Sequence, residues 1–241
     1  MNLKRAGVKW LKSHKVGCKI YPVIQYCYRL WSVPHKRHRL VRCGDGVVER
    51  LNRCLEKNQI EYYCDYGTLL GFIREQGFLR HDDDIDISIP CGTKSPAEVL
   101  RKLLEEGFSF VHAFEYEGRV LEFTVADKTG VTIDVFFPER ARDGILYAYQ
   151  PVWFPTVNYP NEKANTLIQY EFLSPTRIVS MQIQGNSVLV PENADEVLTS
   201  EYGNWRVPDT RFSTVNDRVH REMSGFAFRL TQTEVLQHKE K

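Results

Sequence analysis

The sequence has no cysteine after residue 91, no C-x-x-C pair and no pair of histidines at zinc-finger spacing. All six cysteines lie in the first 91 of 241 residues. Cysteines confined to one part of a chain cannot crosslink the rest. We therefore expect buried free thiols and a reducing cytoplasmic compartment rather than a disulfide framework. No Asn-x-Ser/Thr sequon occurs, which agrees with a protein that is not secreted.

Long hydrophobic runs are also absent. The longest apolar stretch, residues 20–33, is interrupted by Gln25 and Arg29, whereas a membrane span needs about 20 consecutive apolar residues. Lysines interrupt every apolar run before residue 19, so no secretory signal is predicted.

Acidic residues are missing from the first 44 positions, which contain eleven lysines and arginines. The rest of the chain carries 21 basic and 31 acidic residues, although the net charge of the whole is only +1. This asymmetry predicts a basic arm, residues 1–44, joined through a polar linker at 34–39 to an acidic catalytic body, residues 45–241. We expect residues 1–40 to bind an anionic membrane surface, peripherally at the inner face of the plasma membrane. A solvated helix whose Trp10 packs on the body is the alternative, and no nucleic-acid partner is expected.

Hydrophobic residues make up 42% and charged residues 26% of the chain, which is typical of a globular protein. The pattern predicts an α/β fold in which helices flank a mixed sheet. Helices are predicted over 46–58 (with Asp45 as N-cap), 68–76, 96–106 and 194–202. Strands are predicted over 60–64, 85–89, 108–114, 120–126, 131–137, 178–183 and 187–190. Three prolines exclude a long helix from the aromatic segment 147–160.

The run of residues 81–86, His-Asp-Asp-Asp-Ile-Asp, is the most distinctive feature. Four carboxylates in five positions repel one another, so a folded protein needs a reason to hold them together. On a strand, Asp84 and Asp86 project from the same face about 7 Å apart. Two carboxylates on one face can hold a hard cation, and oxygen ligands favour Mg²⁺ or Mn²⁺. The alternative is a solvated loop whose carboxylates cap helices.

A third ligand is expected from a neighbouring strand. Asp134 stands among Ile133, Val135 and Phe136, and a carboxylate inside an apolar strand is costly unless it is paired or bound to metal. Asp84, Asp86 and Asp134 are therefore the predicted metal ligands and catalytic residues. For Asp134, an ion pair with an arginine is the alternative.

The segment that precedes the acidic run resembles an anion site. A predicted strand is followed by Gly67 and Thr68 and then by a helix, which presents backbone N–H groups and a hydroxyl at a helix N-terminus. The segment is neither a Walker loop nor G-x-G-x-x-G, and alone it indicates no more than a helix cap. Combined with the aspartate strands, it predicts that Gly67 and Thr68 hold the phosphates of a donor. Arg74 on the same helix either clamps a phosphate or pairs with the acidic run.

Residues 66–74, followed by residues 81–87, resemble the LicD family, which includes the fukutin-related proteins. The later segments at 133–136, 190–191 with 197–198, and 202–205 with Pro208 resemble further motifs of that family, so that the resemblance covers about residues 45–210. His81 stands where the family often has tryptophan. An equivalent of the zinc site of some animal relatives is not found.

The resemblance implies a nucleotidyltransferase-type fold and transfer of a phosphorylated group from a CDP-linked donor to a sugar hydroxyl. The transferred group would be phosphocholine, with ribitol or glycerol phosphate as alternatives. The acceptor would be a cell-surface glycan, lipid-linked or free, of the lipopolysaccharide, capsule or teichoic acid type. One or two Mg²⁺ or Mn²⁺ ions would neutralise the donor diphosphate. Asp82 and Asp83 would lie near the donor, and one of them or Asp134 would accept the proton of the hydroxyl.

Aromatic residues are the candidates for contact with the acceptor. Trp153, in the segment 147–160, would stack on a sugar face unless that segment is a packed core loop. Tyr202 and Trp205 line the site or anchor the last predicted helix. Two other functions compete with phosphotransfer, namely true nucleotidyl transfer and glycan binding without catalysis. The complete carboxylate set argues against the second.

Overall fold

The computed structural model describes residues 15–154, 157–209, 212–213, 215 and 217–238, and side chains from residue 33 onward. Residues 1–14, with Trp10, lie outside this range. The described chain forms five helices: α1 (Lys15–Lys57), α2 (Tyr66–Glu75), α3 (Pro96–Glu105), α4 (Ala194–Tyr202) and α5 (Gln232–Leu236). Its eleven strands are β1 (Tyr63–Cys64), β2 (Asp84–Ser88), β3 (Ser109–Tyr116), β4 (Arg119–Ala126), β5 (Thr132–Phe136), β6 (Glu139–Arg142), β7 (Ile145–Val152), β8 (Ala164–Leu173), β9 (Ile178–Ile183), β10 (Asn186–Pro191) and β11 (His220–Leu230).

Nine strands form one mixed sheet in the order β1-β2-β5-β4-β3-β11-β8-β7-β6, and β9 pairs with β10 in a separate hairpin. The pair β2–β5 is parallel, and the other described pairs are antiparallel. The predicted α/β class with a mixed sheet and flanking helices is confirmed. The parallel pair matters most for function, because it places the two aspartate-bearing strands side by side.

The core lies between the sheet and α1, α2 and α3. In β2, Ile85 and Ile87 are about 1% exposed, because the alternation of the strand turns every second side chain away from the aspartates. On α1, Leu51 and Leu55 are equally buried and belong to the same apolar cluster. The apolar face of β2 thus anchors the strand and leaves its acidic face turned the other way.

The amino-terminal part of the described chain differs from the sequence prediction. The linker predicted at 34–39 and the helix start predicted at Asp45 are wrong, because α1 continues through both. A proline inside a helix costs about 3 kcal/mol, so tertiary contacts must offset Pro34. Leu40 is fully buried in the core, and Lys36 forms an ion pair with Asp83 at 3.0 Å. The division between arm and body at residues 44 and 45 stays a prediction.

Strands β6, β7, β8 and β11, which form the second half of the sheet, were not predicted from the sequence. Strand β8 has nine of its ten residues buried or half-buried, so that its sequence lacks the alternation that marks a strand with one solvated face. Strand β11 contains an irregularity between Glu222 and Phe226, which breaks the period of two. Strand β7 includes Pro151 and falls within the aromatic segment, where the prolines do exclude a long helix.

Two predictions from composition can be compared with the structure. Of the cysteines whose side chains are described, all four are free thiols; Cys54 and Cys64 are buried as predicted, whereas Cys43 and Cys91 are half-buried. Among the described helices, none contains an apolar stretch of the length that a bilayer requires.

Candidate active site

A cavity of about 870 Å³ opens over the acidic face of β2 and β5. Its wall includes the N-terminus of α2, the loop before β2, parts of β7 and β8, and the segment that follows α4. Nine of the predicted site residues line it: Gly67, Arg74, Asp82, Asp83, Asp84, Asp86, Asp134, Tyr202 and Trp205. Thr68 and Trp153 are not part of the lining. The cavity therefore gathers side chains from sequence positions that are more than 130 residues apart.

The parallel pairing of β2 with β5 places the predicted metal ligands on adjacent strands. Asp86 on β2 lies directly opposite Asp134 on β5. Asp84, two residues before Asp86 and on the same face of β2, lies opposite Thr132. At the start of β2, Asp82, Asp83 and Asp84 offer carboxylate oxygens that all lie within 4.8 Å of one another. Among the described residues, the carboxylate cluster that meets this distance thus consists of Asp82, Asp83 and Asp84. It includes two residues that the sequence placed beside the donor, and it leaves out Asp86 and Asp134.

Nearby positive charge offsets the repulsion within this cluster only in part, although Lys36 pairs with Asp83. Burial, reinforced by neighbouring carboxylates, holds the pKa values of Asp84 and Asp86 well above the ordinary range. Burial also raises the pKa of Asp82 to about 6 and raises that of Asp134, although the hydrogen bond from Thr124 opposes the shift. The charge repulsion would be relieved by a cation bound among these oxygens.

The donor set fits a hard divalent cation. Oδ2 of Asp82 is buried and has no hydrogen-bond partner within the described part of the chain. Oδ1 of the same carboxylate accepts a hydrogen bond from the amide of Asp83 at 3.1 Å, which orients the group. Carboxylate oxygens are the ligands that Mg²⁺ and Mn²⁺ prefer, and Asp84, Asp86 and Asp134 supply three more carboxyl groups in the same cavity.

The turn from β1 into α2 is built around Gly67. Asp65 caps the helix by accepting a hydrogen bond from the amide of Tyr66, and Oγ of Ser88 donates to the second oxygen of Asp65 at 2.5 Å. A Cβ atom at position 67 would lie 2.6 Å from Oδ2 of Asp82 and 3.3 Å from Oδ2 of Asp86. Glycine is thus required for the helix end to approach the carboxylates this closely.

Thr68 has a different role from the one the sequence suggested. Its side chain is fully buried, and its hydroxyl accepts a hydrogen bond from the amide of Asp86 at 2.8 Å. This bond ties α2 to β2 and fixes the position of Asp86. Phosphate contact by Thr68 stays a prediction, and the observed contact is with the strand backbone.

Arg74 points towards the segment after α4. Nη1 donates to the carbonyl oxygen of Trp205 at 3.0 Å, and Nη2 bonds Glu75 at 3.1 Å. Its partner carboxylate is therefore Glu75, and no ion pair between Arg74 and residues 82–86 is found in the described chain. Arg37 on α1 joins Arg74 in the cavity wall, so that two guanidinium groups flank the carboxylates.

The aromatic candidates separate into two groups. Tyr202 and Trp205 line the cavity, and Nε1 of the buried Trp205 has no hydrogen-bond partner among the described residues. Trp153 instead stacks on Tyr159, with ring centroids 6.3 Å apart. Tyr159 in turn holds the amide of Phe154, so Trp153 belongs to a packed aromatic loop.

Several residues of the site escaped the sequence analysis. Glu122 on β4 lines the cavity, and burial raises its pKa to about 8, with the charge of Asp134 adding to the effect. Thr124, two residues on, donates a hydrogen bond to Asp134 and contacts Nε2 of His112 at 3.1 Å. A polar residue inside the apolar strand 120–126 was the available signal for Glu122, the same signal that marked Asp134. For Arg218, another lining residue, the sequence held no signal.

The cavity belongs to a region that known proteins share. Residues 59–193, more than half of the chain, match the family model described as LicD/FKTN/FKRP, nucleotidyltransferase domain. The uncharacterized protein RP689 of Rickettsia prowazekii (strain Madrid E) is 31% identical over 102 residues, which cover 42% of this chain and 35% of that protein. The uncharacterized protein RT0683 of Rickettsia typhi (strain ATCC VR-144 / Wilmington) is 54% identical over 43 residues, 18% of this chain and 14% of that protein. The chain thus matches about a third or less of these relatives' length.

Among solved structures, the lincosamide antibiotic adenylyltransferase LnuA in its lincomycin-bound form is similar with a TM-score of 0.38 and 14% identity. The similarity covers 65% of this chain and 84% of that one. A likeness at this level carries no argument about chemistry. The family match covers residues 59–193, which contain Gly67 and five of the aspartates that line the cavity, namely Asp82, Asp83, Asp84, Asp86 and Asp134. The chain belongs to the LicD/FKTN/FKRP family of nucleotidyltransferase domains.

Proposed function

We propose that this protein is a metal-dependent transferase that moves a phosphorylated group from a CDP-linked donor to a sugar hydroxyl of a cell-surface glycan. The observation that carries the proposal is the convergence of five carboxylates, Asp82, Asp83, Asp84, Asp86 and Asp134, on one cavity at the N-terminus of α2. A non-catalytic glycan-binding module would have no use for such a cluster, because it weakens the fold through charge repulsion.

The carboxylates have distinct tasks in this proposal. Asp84, Asp86 and Asp134 would hold one or two Mg²⁺ or Mn²⁺ ions, and Asp82 lies close enough to share them. The bound cation would supply positive charge against the donor diphosphate. Gly67 permits close approach of the helix end to this charge centre, while Arg37 and Arg74 line the same wall and can bind phosphate oxygens.

The reaction joins the acceptor oxygen to the phosphorus that carries the head group. The bond from that phosphorus to the bridging oxygen breaks, and CMP leaves with the electron pair. The proton of the acceptor hydroxyl passes to a carboxylate, for which Asp134, Asp82 and Asp83 are the candidates from the sequence. Glu122 lines the same cavity and is a fourth candidate.

The test is incubation with Mn²⁺, a glycan acceptor and each of CDP-choline, CDP-ribitol and CDP-glycerol. Release of CMP together with the head-group phosphate on the acceptor supports the proposal. Nucleotide retained on the acceptor would instead identify a true nucleotidyltransferase. Asp84→Asn should abolish turnover and Mn²⁺ binding, whereas Asp143→Asn, on the exposed turn between β6 and β7, should leave both unchanged. Full activity of Asp84→Asn would exclude the metal assignment.

The acceptor and the location follow from the same proposal. A lipid-linked or surface glycan of the lipopolysaccharide, capsule or teichoic acid type would be modified in the cytoplasm at the inner face of the plasma membrane. The eleven basic residues before position 45 support attachment to an anionic surface there. The wall of the cavity contains Tyr202 and Trp205, whose rings are suited to contact with a sugar.

A further inference from the structure

Five aromatic rings surround one guanidinium group at the edge of the cavity. The guanidinium carbon of Arg218 lies 4.6–5.8 Å from the ring centroids of Tyr66, Tyr170, Phe172, Tyr202 and Phe212. These rings come from α2, β8, the end of α4 and the segment after it. A cation within about 6 Å of a ring face is attracted by the ring quadrupole, so the five rings together form a cation cage.

The rings are the main partners of Arg218. The residue is 8% exposed, and Nε donates to the carbonyl oxygen of Glu201 at 3.1 Å. Nη2 is buried without a hydrogen-bond partner, and no carboxylate forms an ion pair with Arg218, within the part of the chain that is described. The side chain of Glu201 is also close enough to interact with Arg218, although burial raises the pKa of Glu201 and Arg218 opposes that shift.

The cage borders the proposed donor site. Tyr66, Tyr170, Tyr202, Phe212 and Arg218 all line the same cavity as the aspartates. Tyr66 directly precedes Gly67, and its ring packs edge-on against Phe136 at 4.8 Å, two residues after Asp134. A donor whose phosphates lie over Gly67 and the carboxylates would therefore have the cage as a neighbour.

We propose that Arg218 occupies a cation cage beside the donor site and thereby excludes a quaternary ammonium head group from it. The inference rests on the proposed function, because it specifies which head groups that site accepts. Aromatic cages recognise choline-like cations through ring faces, and in this protein the ring faces already hold a guanidinium. A second cation brought to the cage would meet both occupied space and like charge.

Part of the remaining wall offers amide groups that suit a hydroxyl-bearing head group. Gln150 and Asn204 line it with amide groups, and Oε1 of Gln150 accepts a hydrogen bond from the hydroxyl of Tyr170 at 2.8 Å. Amide groups exchange hydrogen bonds with the hydroxyl groups of a polyol, whereas a trimethylammonium group has no hydrogen-bond donor or acceptor. The site should therefore bind a donor with a polyol head group more tightly than a donor with a choline head group.

The test measures binding by calorimetry, with CDP, CDP-ribitol and CDP-choline as the probes and Mn²⁺ present. Wild type should bind CDP-ribitol at least as tightly as CDP and should bind CDP-choline about tenfold more weakly. Arg218→Ala, which vacates the cage, should acquire binding of tetramethylammonium, followed through quenching of the intrinsic fluorescence. Guanidinium ion should compete for the vacated site. Arg218→Lys, which keeps a cation there, should not bind tetramethylammonium.

Tighter binding of CDP-choline than of CDP-ribitol by wild type would overturn the proposal. So would a folded Arg218→Ala variant, verified by circular dichroism, that ignores tetramethylammonium. If Arg218→Ala does not fold, the proposal is judged from the affinities of the wild-type protein for CDP-choline and CDP-ribitol. Failure of the proposed function looks different, because none of the CDP compounds would then bind, whereas tetramethylammonium binding by Arg218→Ala would be unaffected.

Discussion

The carboxylate of Asp82 lies directly over Gly67, so that a Cβ atom at position 67 would meet Oδ2 of Asp82 at 2.6 Å. The same Cβ would lie 3.3 Å from Oδ2 of Asp86. One hydrogen atom in place of a methyl group therefore decides whether the acidic loop can close onto the N-terminus of α2.

Gly67→Ala should push the carboxylates of Asp82 and Asp86 away from the N-terminus of α2, because the added methyl group would occupy their space. A shift of about 1 Å at reacting groups costs about 100-fold in rate, and we expect a loss of that size together with weaker Mn²⁺ binding. Gly46→Ala is the matched control, because a Cβ at Gly46 meets nothing within 4 Å. Equal activity of the two variants would show that the close approach is unimportant.

Thr124 connects Asp134 to His112. Its hydroxyl donates to Oδ1 of Asp134, so the contact with Nε2 of His112 requires the ring to donate. Burial lowers the pKa of His112 to about 4, with Arg229 adding to the effect, and the imidazole is neutral at pH 7. Thr124→Val should lower Mn²⁺ affinity by about 10–100-fold, while Thr124→Ser should retain it. The measurement is calorimetric titration, and an unchanged affinity in Thr124→Val contradicts the prediction.

Glu201 should make the stability of the fold depend on pH. Burial, with Asp65 adding to the effect, holds its pKa well above the ordinary range in the folded protein, so the folded state binds a proton that the unfolded chain releases above about pH 4.5. The free energy of unfolding then decreases as the pH rises, by up to about 1.4 kcal/mol per unit. Glu201→Gln should reduce this slope in urea unfolding between pH 5 and 8, while the other buried carboxyl groups still contribute to it.

The exposed Glu196 lies on the same helix, and Glu196→Gln is the control for the Glu201 experiment. Its unfolding curve should follow that of wild type at every pH. A constant difference between Glu201→Gln and wild type across the range would mean that Glu201 is already ionised in the folded state.

The membrane prediction is best tested without truncation. Deleting residues 1–40 would remove Lys36, which pairs with Asp83, and the buried Leu40. Reversing three charges at Lys4, Lys9 and Lys12 avoids both losses. Each basic residue near an anionic surface is worth about 1 kcal/mol, so co-sedimentation with phosphatidylglycerol vesicles at low salt should weaken by more than about 100-fold. Undiminished binding would refute a role for the arm.

Local patterns carried the sequence predictions that agree best with the structure. The helices predicted over 68–76, 96–106 and 194–202 correspond to α2, α3 and α4, since the spacing of apolar residues and the flanking caps suffice to define them. The alternation at Ile85, Ile87 and Ile89 likewise located β2. The same strand pattern singled out Asp134, because a charge within an apolar strand is informative without any knowledge of its neighbours.

Predictions that depended on distant partners were less complete. The helix α1 passes through Pro34 because Lys36 and Leu40 bind the body, and no local signal records that contact. The hydroxyl of Thr68 is of a kind that can bind phosphate, but it accepts a hydrogen bond from the amide of Asp86, 18 positions later. Strand β8, buried on both faces, lacked the alternation by which a strand is recognised.

The sequence by itself determined that this chain has a mixed α/β fold and a set of aspartates on one strand face, since period-two alternation and mutual charge repulsion act between near neighbours. Only the tertiary structure decided which groups join them. The strand order β2-β5-β4-β3 brings Glu122, Thr124 and His112 to the aspartates. Folding also places Arg218, which follows α4, against the ring of Tyr66, about 150 positions earlier in the sequence. Hydrogen bonds and cation–π contacts act over a few ångströms in space, and only folding sets those distances.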